Sequence, residues 1–252
     1  MHARPLIRFW LAALYVLILR SAPAEAWPKE AYRAMVYDTL RLLPPRLSRV
    51  LLKREAAILR GALRLEGETA SMIARDGVRG RLSAALVKDV ETRIEQVVRM
   101  VGEHDSFDDT AYELGRLLRI AADLADPVIL GAGRRDLQRV AAELYRYVNL
   151  NLTKFPLVHD GALSSPLGGA SIGRLLVEVT SATRASVTPL SNAFWREGRI
   201  VSAQSFDFRS VPYAETSLNY SRGVTAASYL WLSAWAKANG DFTEYRFAPN
   251  KR

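Results

Sequence analysis

Two arginine–carboxylate pairs are the residues of this sequence best spaced for chemistry: Arg119-x-x-x-Asp123 and Arg139-x-x-x-Glu143. A separation of four puts each pair on one face of a helix. On a surface such a pair is worth about a few tenths of a kcal/mol. Inside an apolar bundle it becomes a charge-assisted hydrogen bond that keeps a carboxylate from standing as an unpaired buried charge. Nucleophilic chemistry has little to work with. Cysteine is absent, which removes thiolate metal sites, disulfides and a thiol nucleophile. His159-Asp160 has no nucleophile set beside it, and Ser164 and Ser165 carry no nucleophile-elbow pattern. No internal repeat, glycine-rich phosphate loop or nucleic-acid motif is present.

The elements that must hold these residues are helices. Tyr112 to Pro127 predicts a buried helix, with Leu114, Leu117, Leu118, Ala121, Ala122 and Ala125 at helical spacing. Asp108 and Asp109 suit its start, and Pro127 its stop. Further helices are expected over Trp27–Leu43, Leu47–Leu63, Leu82–Val101 with Gly102 as C-cap, and Arg135–Asn151. Ile172–Thr183 and Pro189–Glu197 read as helical or mixed, and Ala214–Asn239 as a long closing helix. Loops are expected over Gly67–Gly80, Thr153–Gly173 and Phe206–Pro212, and residues 241–252 as a polar, frayed tail.

Met1–Ala26 reads as a secretory signal peptide. Arg4 and Arg8 form a basic start, Phe9–Leu19 an apolar run too short to span a membrane, and Ala24-Glu-Ala26 a small-x-small cleavage site. The expected location is therefore periplasmic or extracellular, with no transmembrane segment after cleavage. The chain of 252 residues, 49% hydrophobic, is long enough for one domain over 27–240 with a full core. Its formal charge is +9, or about +7 without Arg4, Arg8, Arg20 and Glu25. That excess fits a basic surface, and also attraction to an anionic lipid or nucleic acid.

Leu114-Gly-x-x-Leu-Arg-x-x-x-Asp-x-x-x-Pro127 resembles the Leu-Gly-x-x-Leu-His-x-x-x-Asp-x-x-x-Pro helix of the zinc-dependent phospholipase C and single-strand nuclease superfamily. Trp27-Pro-Lys-Glu-Ala-Tyr32, followed by an amphipathic helix and Leu42-Leu-Pro, is similar to the family's mature start, Trp-Gly-x-x-x-His. Ser221-Arg-Gly-Val-Thr-Ala-Ala227 resembles its last helix. The resemblance implies an all-α, single-domain helical bundle of that type, preceded by a signal peptide. It also implies where zinc ligands would stand: Trp27, Tyr32, Glu66, Arg119, Asp123, Ile129, Arg139 and Glu143. Tyr32, Arg119, Ile129 and Arg139 occupy histidine positions. The family's cluster needs about five histidines, and the chain beyond the leader has two, His104 and His159.

Guanidinium groups are therefore expected where metal ions stand in the family, with Arg119–Asp123 and Arg139–Glu143 as ion pairs and no cofactor. The resulting reading is a secreted helical protein, impaired in catalysis, that takes a phosphate-bearing small ligand or an anionic lipid surface. One alternative is a working phosphodiester hydrolase with a reduced site, one zinc ion held by Trp27, Asp123, Glu143 and Glu66. The other is a structural or partner-binding envelope protein, which predicts an exposed apolar patch and no arginine-lined pocket.

Overall fold

The computed structural model describes residues 26–64, 67–103, 106–158, 171–243 and 245. Residues 1–25 of the expected leader, Glu66, His104 and His159 lie outside the described residues. The described chain is an all-α single-domain bundle with one two-residue hairpin, and none of its helices is long and apolar enough to cross a membrane. In chain order the helices are α1 (Lys29–Arg41), α2 (Pro45–Leu52), α3 (Glu55–Leu63), α4 (Gly67–Arg79), α5 (Ala84–Gly102) and α6 (Phe107–Leu124). They continue with α7 (Pro127–Leu130), α8 (Arg135–Asn151), α9 (Ile172–Phe194) and α10 (Val211–Lys237). Strands β1 (Trp195–Arg196) and β2 (Arg199–Ile200) pair antiparallel between α9 and α10.

Helix α6 is the axis of the bundle. Its apolar face is wide: Ala111, Leu117, Leu118, Ala121, Ala122 and Leu124 are all fully buried. Asp108 and Asp109 occupy its first turn, where carboxylates complement the helix dipole. Two indoles are fastened to it. Trp231 Nε1 on α10 donates to the Leu114 carbonyl, and Trp27 Nε1 to the Ala122 carbonyl, each at 2.8 Å.

Helices α3 and α6 touch backbone to backbone, because a glycine from each sits at the crossing. A Cβ on Gly115 would lie 2.1 Å from the Ile58 carbonyl oxygen, and one on Gly61 would lie 2.0 Å from that of Tyr112. Neither carbonyl can yield without breaking its own helix. Gly115→Ala is expected to cost about 1–3 kcal/mol, as overpacking does in tightly filled cores. Denaturant titration of the variant against the parent checks this, and an unchanged midpoint would disprove the close crossing.

Several boundaries differ from the sequence-based expectations. The helix expected over 47–63 is two, broken at Lys53-Arg54, where Arg54 leaves the helical region (φ −116°, ψ 18°). The expected loop 67–80 is helix α4; Thr69, Ile73 and Asp76 fall on one buried stripe, and Gly77 packs so close to α7 that a Cβ would lie 2.8 Å from the Ile129 carbonyl oxygen. Gly102 ends α5 within the helix, and Glu103 is the capping residue. Pro127 does not stop α6 directly: α6 ends at Leu124, and Pro127 opens α7, where a missing N–H costs nothing. Pro189 lies inside the single helix α9; burial of Thr183, Ser186, Val187 and Leu190 against the bundle outweighs the lost hydrogen bond. In the tail, Phe242 and Tyr245 pack on the core instead of fraying.

Candidate functional site: a buried arginine–carboxylate array

Asp123 leaves the last turn of α6 pointing into the bundle. It is 3% exposed, so its charge needs partners. Arg119, one turn earlier, supplies them: its Nε lies 2.8 Å from Oδ1 and 2.9 Å from Oδ2. Tyr32 of α1 donates its hydroxyl to Oδ1 at 2.5 Å. The Arg119 guanidinium lies over the Tyr32 ring, 4.4 Å from its centroid, and reaches the Ala62 carbonyl of α3 at 3.5 Å. Thus α1, α3 and α6 meet on one ion pair.

Three residues on, Asp126 is fully buried. Its Oδ1 accepts from the Val128 and Ile129 amides, capping α7, and its Oδ2 accepts from the Tyr145 hydroxyl of α8 at 2.9 Å. The electrostatics follow from this crowding. Burial pushes the Asp123 carboxyl above its ordinary range, although the Arg119 charge and the Tyr32 hydrogen bond pull the other way. Burial raises Asp126 further, to about 7, against the Val128 amide and the Tyr145 hydroxyl. Tyr32 is held well above the usual phenol value by burial and by the Asp123 charge. Burial works to lower Arg119, yet the Asp123 charge outweighs it and holds the guanidinium above its ordinary value.

Of the positions expected from the sequence, Tyr32, Arg119 and Asp123 come together, with Trp27 bonded to the residue before Asp123. Trp27 is itself core, 3% exposed. Ile129 is buried nearby as a capped amide of α7. Arg139 and Glu143 do not join the group, and the ion pair expected between them does not form. Leu137, Val140 and Leu144 take the inward face of α8, which turns Arg139 to solvent, where it lies over the Trp195 ring at 5.6 Å. Glu143 instead accepts from the Ala203 amide at 2.8 Å and pairs with Arg146 at 3.5 Å.

Among the described residues, the donors around Asp123 do not fit a zinc ion. Both Asp123 oxygens are taken by Arg119 and Tyr32, and both Asp126 oxygens by amides and Tyr145. Among the described residues no group of three or more histidines, cysteines and carboxylates is arranged to hold a metal ion. Of the four residues of the reduced site, Glu66 lies outside the described residues, and Glu143 is engaged by the Ala203 amide and Arg146.

Above Arg119 the bundle opens to solvent through a small pocket. Arg64, Arg116 and Arg119 line it with Gly61, Thr69, Ile73, Ile120 and Asp123. Arg64 donates to the Tyr112 hydroxyl at 2.6 Å, and Arg116 to Glu113 Oε1 at 2.7 Å. Both guanidiniums lie 6.0 Å from the Tyr112 ring centroid. Among the described lining residues three guanidiniums stand with one carboxylate, and Arg116 is also paired with Glu113 beside the pocket. Sequence reading missed Arg64, Arg116 and Asp126. Arg116 sits three residues before Arg119 on the same face, and Asp126-Pro127 is a helix-start signal; both were visible. Arg64 had no local signal, because it arrives through the α3–α6 crossing. No protein-family model, curated protein or solved structure matches this chain.

Proposed function

We propose that the chain is an exported, non-catalytic member of the zinc-dependent phospholipase C and nuclease superfamily that binds a phosphate-bearing ligand. The arginine-lined pocket is the observation that carries this reading. Guanidinium is the side chain best matched to a tetrahedral oxyanion, since its planar fork offers two parallel donors. Arg64 and Arg116 stand at the pocket wall with Thr69 as a neutral hydroxyl, and Arg119 forms the floor with its carboxylate partner. The leader-like stretch Met1–Ala26 supports export, and the resemblance at Trp27, Leu114–Pro127 and Ser221–Ala227 supports the ancestry. The commitment of the Asp123 and Asp126 oxygens to Arg119, Tyr32, Tyr145 and the α7 amides supports binding over hydrolysis, because the family's reaction needs metal-generated hydroxide.

Calorimetry with inorganic phosphate and with a phosphate monoester tests the proposal. Saturable binding is expected, weakened at least roughly tenfold (~1.4 kcal/mol) by Arg64→Ala or Arg116→Ala. Absence of binding, or a double variant that binds as the parent does, would overturn it.

A further inference from the structure

The excess positive charge is gathered at one end of the molecule, away from the pocket. Helix α4 ends there with exposed Val78 and Arg79, and Arg81 follows Gly80, whose φ of 73° turns the chain out of the helix. Val78 lies against Gly133, within 3.7 Å of where its Cβ would be. That contact puts α4 beside Arg134 and Arg135 at the start of α8. One turn along α8, Arg139 reaches the Trp195 ring of the hairpin. Arg196 and Arg199 face each other across that hairpin, and Ile200 is the register partner of Trp195.

The carboxylates on this ridge are few. Asp136 is held by Arg134, 2.6 Å away, and accepts from Ser191. Glu197 sits at the hairpin turn. Arg79, Arg81, Arg134, Arg135 and Arg139 stand with Asp136 on the side that carries Val78 and Ile200, a net charge of +4, and Arg196 and Arg199 flank it from the other face of the hairpin. Glu143, the next acid along α8, is already met by Arg146 and the Ala203 amide. On other faces Arg41, Arg46 and Arg54 pair with Asp38, Asp241 and Asp108.

Two large apolar side chains project from the same ridge, Val78 at 63% and Ile200 at 48% exposure. One stands at a helix end and the other on a hairpin, both beside arginines. We propose that this ridge docks the protein on anionic phospholipid membranes, with the arginines on the headgroups and Val78 and Ile200 entering the interfacial layer. Charge near an anionic surface and shallow apolar insertion reinforce each other in this arrangement. A nucleic acid would be served instead by exposed aromatic faces between the arginines, and the one aromatic ring of the ridge, Trp195, is covered by Arg139. The ridge shares no residue with the pocket, so its test is independent of the ligand reading.

Co-sedimentation of the full chain with vesicles tests the proposal. Vesicles of phosphatidylcholine alone are compared with vesicles containing about a third phosphatidylserine, as anionic leaflets do. Binding is expected only to the anionic vesicles and is lost in high salt. Arg79→Glu, Arg81→Glu and Arg135→Glu together should weaken it at least roughly tenfold. Arg41→Glu, Arg49→Glu and Lys53→Glu change the net charge equally and should leave it within about twofold. Val78→Ser, which keeps every charge, should lower binding and rules out a purely structural effect if its unfolding midpoint is unchanged. Equal binding to both vesicle types, equal loss in both triple variants, or tighter binding to a single-stranded oligonucleotide than to the vesicles would each overturn the assignment.

Discussion

Arg119→Met is expected to lower stability at pH 7 by about 3–5 kcal/mol, the cost of stranding one partner of a buried ion pair. Methionine fills most of the space of the arginine stem, so the loss reports charge and not a cavity. Asp123 would keep the Tyr32 hydroxyl as its single hydrogen-bond donor and no compensating charge. The contact of the guanidinium with the Tyr32 ring would go as well. Adding Asp123→Asn removes the stranded charge while keeping an acceptor for Tyr32. The double variant should therefore regain most of the loss, leaving a deficit of about 0.5–2 kcal/mol for the missing cation–π contact. Urea titrations of the parent, both single variants and the double variant close the cycle. A single-variant loss below about 1 kcal/mol would place the pair among ordinary surface ion pairs. A double variant no better than Arg119→Met would show that packing, not charge, holds the three helices.

That array explains which parts of the molecule could be read from the sequence. The axis helix was legible because its apolar residues recur at one period and a wide face of it is buried; Leu114 through Leu124 fall where periodicity puts them. The Arg119–Asp123 pair was legible for the same reason, since two groups one turn apart on a buried helix must meet or be stranded. The matching inference for Arg139 and Glu143 failed because α8 is only half buried. A four-residue spacing fixes that two side chains share a face, yet not which face is inward, and Leu137, Val140 and Leu144 decide that. Helix α4 was hidden by its flanking glycines, which read as loop until the buried stripe Thr69, Ile73 and Asp76 is set against α7. The pocket was illegible for a different reason. Arg64 and Arg116 become neighbours through the glycine crossing of α3 and α6, a tertiary event with no local pattern.

Asp126 should give the fold an unusual pH dependence, with stability falling as pH rises from about 4 to about 7. The carboxyl titrates near 3.9 in an unfolded chain and is pushed up to about 7 in the folded protein by burial. Between those values the folded state holds a proton that the unfolded state has released. Each pH unit in that window therefore favours unfolding by about 1.36 kcal/mol, and the whole window by about 4 kcal/mol. The contribution is fully present below the unfolded value and fully lost above the folded one. Asp126 is surrounded by the Val128 and Ile129 amides, the Tyr145 hydroxyl and the Asp123 charge. Arg119 and Tyr32 reach it only across Asp123, so the nearest guanidinium is already committed. Asp126→Asn keeps an acceptor for the Val128 amide and offers Tyr145 a donor in place of an acceptor, without a charge to titrate. Carboxylates distant from Asp126, including Asp136, which Arg134 holds below the ordinary range, act alike in both proteins and cancel in the difference, whereas Asp123 is coupled to the site and its own change is part of the difference. Stability of the parent relative to Asp126→Asn, measured by denaturant unfolding at intervals from pH 4 to 8, should fall by about 4 kcal/mol and level off above 7. Parallel curves would mean that the Asp126 carboxyl gives up its proton in the folded protein as readily as in the unfolded chain.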